Sequence, residues 1–240
     1  MLNVFISGLA PQTGKTIVTA GLAATMQSLS YSTCVYKPIQ TKAEMLNGFK
    51  VSPDLALIKR VDSNISTGST YMMKSSAPPF VSAYEEGFKI DAGAILTEFQ
   101  GFSQMTDCNI VEGSNSISTP VAQYLTEIDI VKTLRMPLIL VVNPKRIPID
   151  LVISGLNFIQ NSRVNFSGII INQHNEKSEN LEEKYFPQII KEYTDAKILG
   201  MLPDYEKISL ITPETLIADI LTNIDIESIF GLEIAKLQRG

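Results

Sequence analysis

The sequence predicts an α/β protein built on a mostly parallel β-sheet with helices on both faces. Three observations predict it. Strand-like and helix-like segments alternate along the chain, the pattern of repeated βαβ units. The strand-like segments are β-branched or apolar with little alternation, as strands buried on both faces are. A glycine-bounded turn, Gly8-Leu9-Ala10-Pro11-Gln12-Thr13-Gly14-Lys15-Thr16, joins the first strand to the first helix.

Strands are expected at residues 3–7, 33–38, 109–111, 137–142, 166–172 and 197–201. Helices are expected at 15–28, 54–60, 91–103, 149–161, 180–193 and 215–229. Residues 68–79 are mostly polar and end in two prolines, so they read as a long connection. The polar run 173–178 reads as a surface loop. No repeat, low-complexity stretch or convincing linker interrupts the chain, which predicts a single domain over residues 1–240.

Bulk composition narrows the function classes. The 240 residues are 45% apolar, ample for a core, and carry a net charge of −5. That balance disfavours sequence-independent nucleic-acid binding, which uses Lys and Arg to neutralise phosphates. Two cysteines, Cys34 and Cys108, suggest free thiols in a reducing compartment rather than a disulfide scaffold. No apolar run reaches bilayer-spanning length. Met1-Leu2-Asn3-Val4-Phe5-Ile6 lacks a charged leader and runs into the glycine turn, so it reads as a strand and not a signal peptide. A cytoplasmic location is expected. At the C-terminal end, Ile226, Ile229, Phe230, Ile234 and Leu237 share helical spacing, interrupted by Gly231 and flanked by acids. That face is expected to pack on the domain or a partner rather than a membrane.

The glycine turn has the context of a phosphate cradle. Glycines let backbone N–H groups face inward, and the following helix adds its positive N-terminus. Lys15 would reach the β/γ-phosphates and the Thr16 hydroxyl would ligate Mg²⁺. Five residues, rather than the usual four, separate Gly8 from Gly14. The prediction is a P-loop NTPase-type sheet that binds ATP. Related switch ATPases carry an additional lysine early in this loop, where this chain has Ala10. Its absence counts against a DNA-partitioning or membrane-cycling ATPase.

Further chemistry sits at other strand ends. Lys37, in Tyr36-Lys37-Pro38-Ile39-Gln40-Thr41, would lie on the phosphate-loop edge, because ligands of doubly wound sheets bind at the carboxyl ends of strands. Asp54, after Ser52-Pro53, reads equally as a helix N-terminal acid or a metal ligand. Glu112, ending Asn109-Ile110-Val111-Glu112-Gly113, occupies a position where a carboxylate organises Mg²⁺.

Taken in order, these features resemble the dethiobiotin synthetase family. The five-residue loop, Tyr36-Lys37-Pro38, the Asp54 helix, Pro78-Pro79-Phe80-Val81-Ser82-Ala83, Val111-Glu112-Gly113, Asn172 and Leu199-Gly200-Met201-Leu202-Pro203 span residues from about 3 to 205. The resemblance implies an ATP-dependent cyclo-ligase that closes a ureido ring on 7,8-diaminononanoate with CO₂, through a carbamate and its phosphorylated form, releasing ADP and phosphate. It implies that Gln12, Thr13, Gly14, Lys15 and Thr16 hold the nucleotide, with Asn172 and Pro203 at its base. It implies that Thr16, Asp54 and Glu112 hold Mg²⁺, and that Lys15, Lys37 and Thr41 serve the chemistry. It also implies a homodimer whose partner chain closes the substrate site, with Tyr185 and Tyr193 as possible contributors.

The chain departs from the family in four places. Its loop begins Gly8-Leu9-Ala10-Pro11 where the family has Gly-Thr-Asp-Thr. Glu112 is followed by Gly113-Ser114-Asn115-Ser116 rather than a glycine-rich run. Pro79-Phe80 replaces Pro-His, and Lys145-Arg146-Ile147 replaces Lys-Leu-Gly. The last three fall on the substrate side. They leave open a related ATP-dependent ligase for a different substrate and, from a different class, a nucleotide-sensing module. His174, the sole histidine, is expected in a solvated loop, and the pairs Glu85-Glu86 and Glu182-Glu183 on solvated faces.

Overall fold

The computed structural model describes residues 1–205 and 211–232. In chain order the strands are β1 Leu2–Gly8, β2 Thr33–Tyr36, β3 Ile39–Gln40, β4 Glu44–Leu46, β5 Phe49–Val51, β6 Ser66–Gly68, β7 Tyr71–Met72, β8 Cys108–Glu112, β9 Pro120–Ala122, β10 Leu125–Thr126, β11 Leu138–Val142, β12 Phe166–His174 and β13 Ile198–Pro203. The helices are α1 Lys15–Ser28, α2 Pro53–Val61, α3 Pro79–Glu85, α4 Ala92–Ser103, α5 Glu127–Leu134, α6 Ile149–Asn161, α7 Leu181–Tyr193, α8 Pro213–Asn223 and α9 Ile226–Phe230.

Seven strands form one sheet in the order β13-β12-β11-β1-β8-β2-β6, with every neighbouring pair parallel. Successive side chains of a strand point to opposite faces, and here both faces are covered. Phe5, Val111, Leu138, Leu140 and Ile171 pack with α4, α5, α6 and α7 on one side. Val4, Ile6, Ile110, Ile139 and Ile170 pack with α1, α2, α8 and α9 on the other. This double burial explains the unbroken apolar runs in the sequence. Each fully buried Ile or Phe contributes about 1.5–3 kcal/mol relative to exposure. All strands therefore end on one edge, and β1, carrying the glycine turn, lies near the centre.

Several expectations need correction. Residues 215–229 are not one helix. They break between α8 and α9, where Ile224 bridges Gly200 of β13 and Asp225 caps the next helix by accepting the Ser228 N–H. Ile234 and Leu237 lie outside the described residues. The connection 68–79 contains β7, paired with β3. His174 is the last residue of β12 rather than a loop residue, with Nδ1 buried. Glu183 is buried and accepts from Ser178 Oγ at 2.6 Å, and Glu86 pairs with Lys50 at 2.5 Å. Neither is a plain solvated acid.

Candidate active site

The turn after β1 leads into α1 through Gly14, which caps the helix at φ +89° and offers no side-chain acceptor. The leading N–H groups of α1 are thus left for an anion, as the macrodipole favours. Only glycine fits at position 14. A Cβ there would lie 1.8 Å from Asn172 Nδ2. Asn172, within β12, donates to the Thr13 carbonyl at 3.0 Å and so braces the turn from the neighbouring strands.

Lys15 points into the cleft and donates to the Asn115 carbonyl at 2.7 Å and the Ala10 carbonyl at 3.3 Å. Burial lowers its pKa, opposed by the charges of Glu127, Glu112 and Asp54. Thr16 Oγ1 lies 3.0 Å from Glu112 Oε1 and 3.3 Å from Asp54 Oδ1. Lys37 Nζ lies 2.6 Å from Glu112 and 3.0 Å from Asp54. Burial alone would lower the Lys37 pKa, but Glu112 and Asp54 together hold it above its ordinary value. Burial raises the Asp54 pKa, but Lys37 outweighs it and keeps the carboxyl below the usual range. Asp54 stands in the first turn of α2, as the helix N-terminal reading expects, and its carboxylate also reaches this cluster.

The cleft measures about 710 Å³ and lies at the carboxyl edge of the sheet. The structure brings Gln12, Gly14, Lys15, Thr16, Lys37, Thr41, Asp54, Glu112 and Asn172 to its wall. Thr13 is buried behind it, and Pro203 ends the adjacent strand without lining the cleft. Among the described residues, Lys42 and Arg146 line the cleft with side chains bonded to no acid, whereas Lys145 turns to Asp204 at 2.5 Å. Two supporting side chains escaped sequence reasoning. Gln40 bonds both Ser52 and Asp54, and Ser52 accepts the Leu55 N–H at 3.1 Å, which sets the start of α2. The helix-cap signal Ser52-Pro53 could have flagged Ser52.

The donor set fits a hard divalent cation held jointly with a nucleotide. It comprises two carboxylates and one hydroxyl. Phosphate oxygens would complete the shell, as is usual for Mg²⁺ at phosphate sites. Asn172 Oδ1, buried and without a partner, is an acceptor available to a bound base.

Fold and phosphate turn together define a P-loop nucleotide-binding α/β protein. The chain belongs to the AAA-domain family, whose model matches residues 3–212. It is similar along nearly its whole length to the ATP-dependent dethiobiotin synthetase BioD of Bacillus subtilis (strain 168), 24% identical over 229 residues, covering 94% of this chain and 96% of that one. It is 26% identical over 205 residues to the enzyme of the same name from Anoxybacillus flavithermus, covering 85% and 92%. Among solved structures, the MinD cell division protein of Aquifex aeolicus superposes with a TM-score of 0.58 at 13% identity, covering 98% and 99%. The septum site-determining protein MinD of Pyrococcus horikoshii, complexed with Mg-ADP, gives 0.55 at 14%, covering 95% and 88%. These structural likenesses concern the fold.

Proposed function

We propose that the chain is an ATP-dependent dethiobiotin synthetase acting as a single P-loop domain. The observation that carries this reading is the convergence of Lys15, Thr16, Lys37, Asp54 and Glu112 on one cleft, in a chain matched over 94% of its length by a synthetase of that name. One amine of 7,8-diaminononanoate attacks CO₂ and loses a proton, giving a carbamate. A carbamate oxygen attacks the γ-phosphorus of ATP, and ADP leaves. The second amine attacks the carbonyl carbon of the mixed anhydride, expels phosphate and closes the ureido ring.

Such chemistry needs positioning and cations more than covalent help. Gln12, Thr13, Gly14 and the α1 N-terminus cradle the phosphates, with Asn172 at the base; Pro203, which does not line the cleft, has no part in it. Lys15 neutralises the transferring phosphoryl oxygens. Lys37 faces the carbamate and the same phosphoryl group, and Thr41 orients the amine. Thr16, Asp54 and Glu112 would hold Mg²⁺, which would supply charge neutralisation to the phosphates. Lys42 and Arg146 offer unpaired positive charge to an anionic substrate. The buried thiols fit a reducing compartment, and a homodimer completes the site.

The substitution of Ser114-Asn115-Ser116 for a glycine-rich run favours, as a second reading, a ligase for a different amine or carbamate. Phosphate release from ATP is measured with and without 7,8-diaminononanoate and bicarbonate. Release dependent on both, with dethiobiotin as product, is expected. ATP binding without any such dependence would move the assignment to the second reading or to a sensor.

A further inference from the structure

We infer that Glu127 is a positioning residue for both cleft lysines, acting through the loop that leaves β8; the inference rests on the ligase reading and extends it. Glu127 is the first residue of α5 and is 2% exposed. Its Oε1 accepts from Ser7 Oγ at 2.5 Å. Its Oε2 accepts from the Ser114 N–H at 2.7 Å and the Ser114 hydroxyl at 2.9 Å. One carboxylate therefore ties the end of β1, which carries the phosphate turn, to the loop after Glu112.

That loop is where the lysines are held. The Gly113 carbonyl accepts from Lys37 Nζ at 3.1 Å, and the Asn115 carbonyl accepts from Lys15 Nζ at 2.7 Å. Ser114, between them, is the residue that Glu127 grips twice. Fixing Ser114 thus fixes the two flanking carbonyl groups and, through them, the separation of the two ammonium groups. The fit is close: a Cβ on Gly113 would come within 2.1 Å of Glu127 Oε1. A Gly-Ser-Asn-Ser segment has little stiffness of its own, so its order must come from such outside contacts.

Helix capping does not account for Glu127. The start of α5 is already closed by Asp129, whose Oδ2 accepts the Thr126 N–H at 2.9 Å and the Thr126 hydroxyl at 3.0 Å. A buried carboxylate is costly unless its oxygens are satisfied. All three of the donors found for Glu127 belong to this brace. Glu127 also sets a negative charge near Lys15. Its contribution is geometric and electrostatic support, with no contact to the reacting atoms required.

The experiment compares wild type, Glu127→Gln, Ser114→Ala and the double variant. Five quantities are read: Mg-ATP affinity by titration, kcat and KM for diamine-dependent phosphate release, thermal midpoint, and amide hydrogen exchange over residues 113–116. Glutamine keeps the shape and one acceptor, so both single variants are expected to stay folded. Each should bind Mg-ATP within about threefold of wild type yet lose roughly ten- to a hundredfold in kcat, the scale of a displaced catalytic group. The double variant should lose no more than the worse single one, because both act along one path. Exchange at 113–116 should quicken in each variant. Unchanged kcat with unchanged exchange, or losses that multiply in the double variant, would overturn the inference. If wild type shows no diamine-dependent release, the ligase reading fails separately. The brace is then judged by exchange alone, faster exchange upholding it and unchanged exchange overturning it.

Discussion

Lys37 and Glu112 form a buried ion pair, Nζ to Oε1 2.6 Å, at the ends of the neighbouring parallel strands β2 and β8. Asp54 closes the pair from α2 at 3.0 Å. One cation is thereby suspended between the two carboxylates that also flank Thr16. A site that only bound nucleotide would need Lys15 and Thr16 but has no evident use for this second cation.

Lys37→Met therefore separates enzyme from sensor. Removing a charge contact that acts mainly in the transition state lowers rate and leaves ground-state binding largely intact. The variant should bind Mg-ATP within several-fold of wild type but lose on the order of a hundredfold or more in diamine-dependent phosphate release. It should also unfold more easily without Mg²⁺, since breaking a buried pair leaves unpaired carboxylates at a cost of about 3–5 kcal/mol. Added Mg²⁺ should recover part of that loss. A variant with normal turnover would remove Lys37 from the mechanism.

The carboxylates give a second test. Asp54→Asn and Glu112→Gln keep size but lose charge. Each should raise the Mg²⁺ concentration for half-maximal activity by roughly tenfold or more. Chelator should abolish wild-type activity. Wild-type metal dependence in both variants would make these acids structural.

Sequence alone revealed the features that are local. Six of the seven strands in the buried sheet announce themselves as β-branched or apolar segments, and the phosphate turn as glycines between strand and helix. Lys37 and Glu112 could be placed at strand ends from the sequence and Asp54 at a helix start, but the approach of both acids to Lys37 within 3.0 Å depends on three elements up to 75 residues apart. Other features left readable signals. Asn47-Gly48 marks the β4–β5 hairpin, and Thr126 with Asp129 caps α5. Glu127 carried no such signal, because its role lies in contacts with Ser7 and Ser114. The break before α9 was hidden because the 215–229 periodicity continues across it. What ends α8 is the bridge from Ile224 to Gly200.

Gly14→Ala should damage the phosphate turn specifically. The left-handed backbone at φ +89° disfavours alanine by about 1–3 kcal/mol, and its Cβ would displace Asn172. Gly101→Ala, in α4 with open space around it, should be neutral or stabilise by up to about 1 kcal/mol. Thermal melts and ATP titrations of the two variants make the comparison. Equal behaviour of both would contradict the tight packing of Gly14 on Asn172.

The thiols of Cys34 and Cys108 should be inert in the native protein. Burial pushes each up to about 12, from 9.0. At pH 8 only about one thiol in ten thousand would be ionised, and neither is accessible. A chromogenic disulfide reagent should therefore detect two thiols only after denaturation. The folded state keeps these protons more tightly, so this contribution is complete below pH 9 and is lost as pH rises from 9 towards 12. Rapid labelling of native protein at pH 8 would contradict the burial.

α6 and α7 pack side by side and leave Leu151, Phe158, Leu181, Tyr185 and Tyr193 substantially exposed. Water-exposed apolar side chains gathered on one helix pair are the kind of surface a partner covers. The face adjoins the cleft, because α6 follows directly on the segment that carries Arg146 to the cleft wall. A second copy docked here would close the substrate end while leaving the phosphate turn untouched. Light scattering should give a mass of about twice 26.4 kDa. Tyr185→Asp, which puts a charge into the middle of this face, should shift the mass towards one chain. The same variant should keep Mg-ATP affinity, because no residue of α7 lines the cleft, and should lose diamine-dependent turnover as the monomer accumulates. A wild-type mass of one chain at working concentration, or full turnover in a monomeric Tyr185→Asp protein, would mean that each chain works alone.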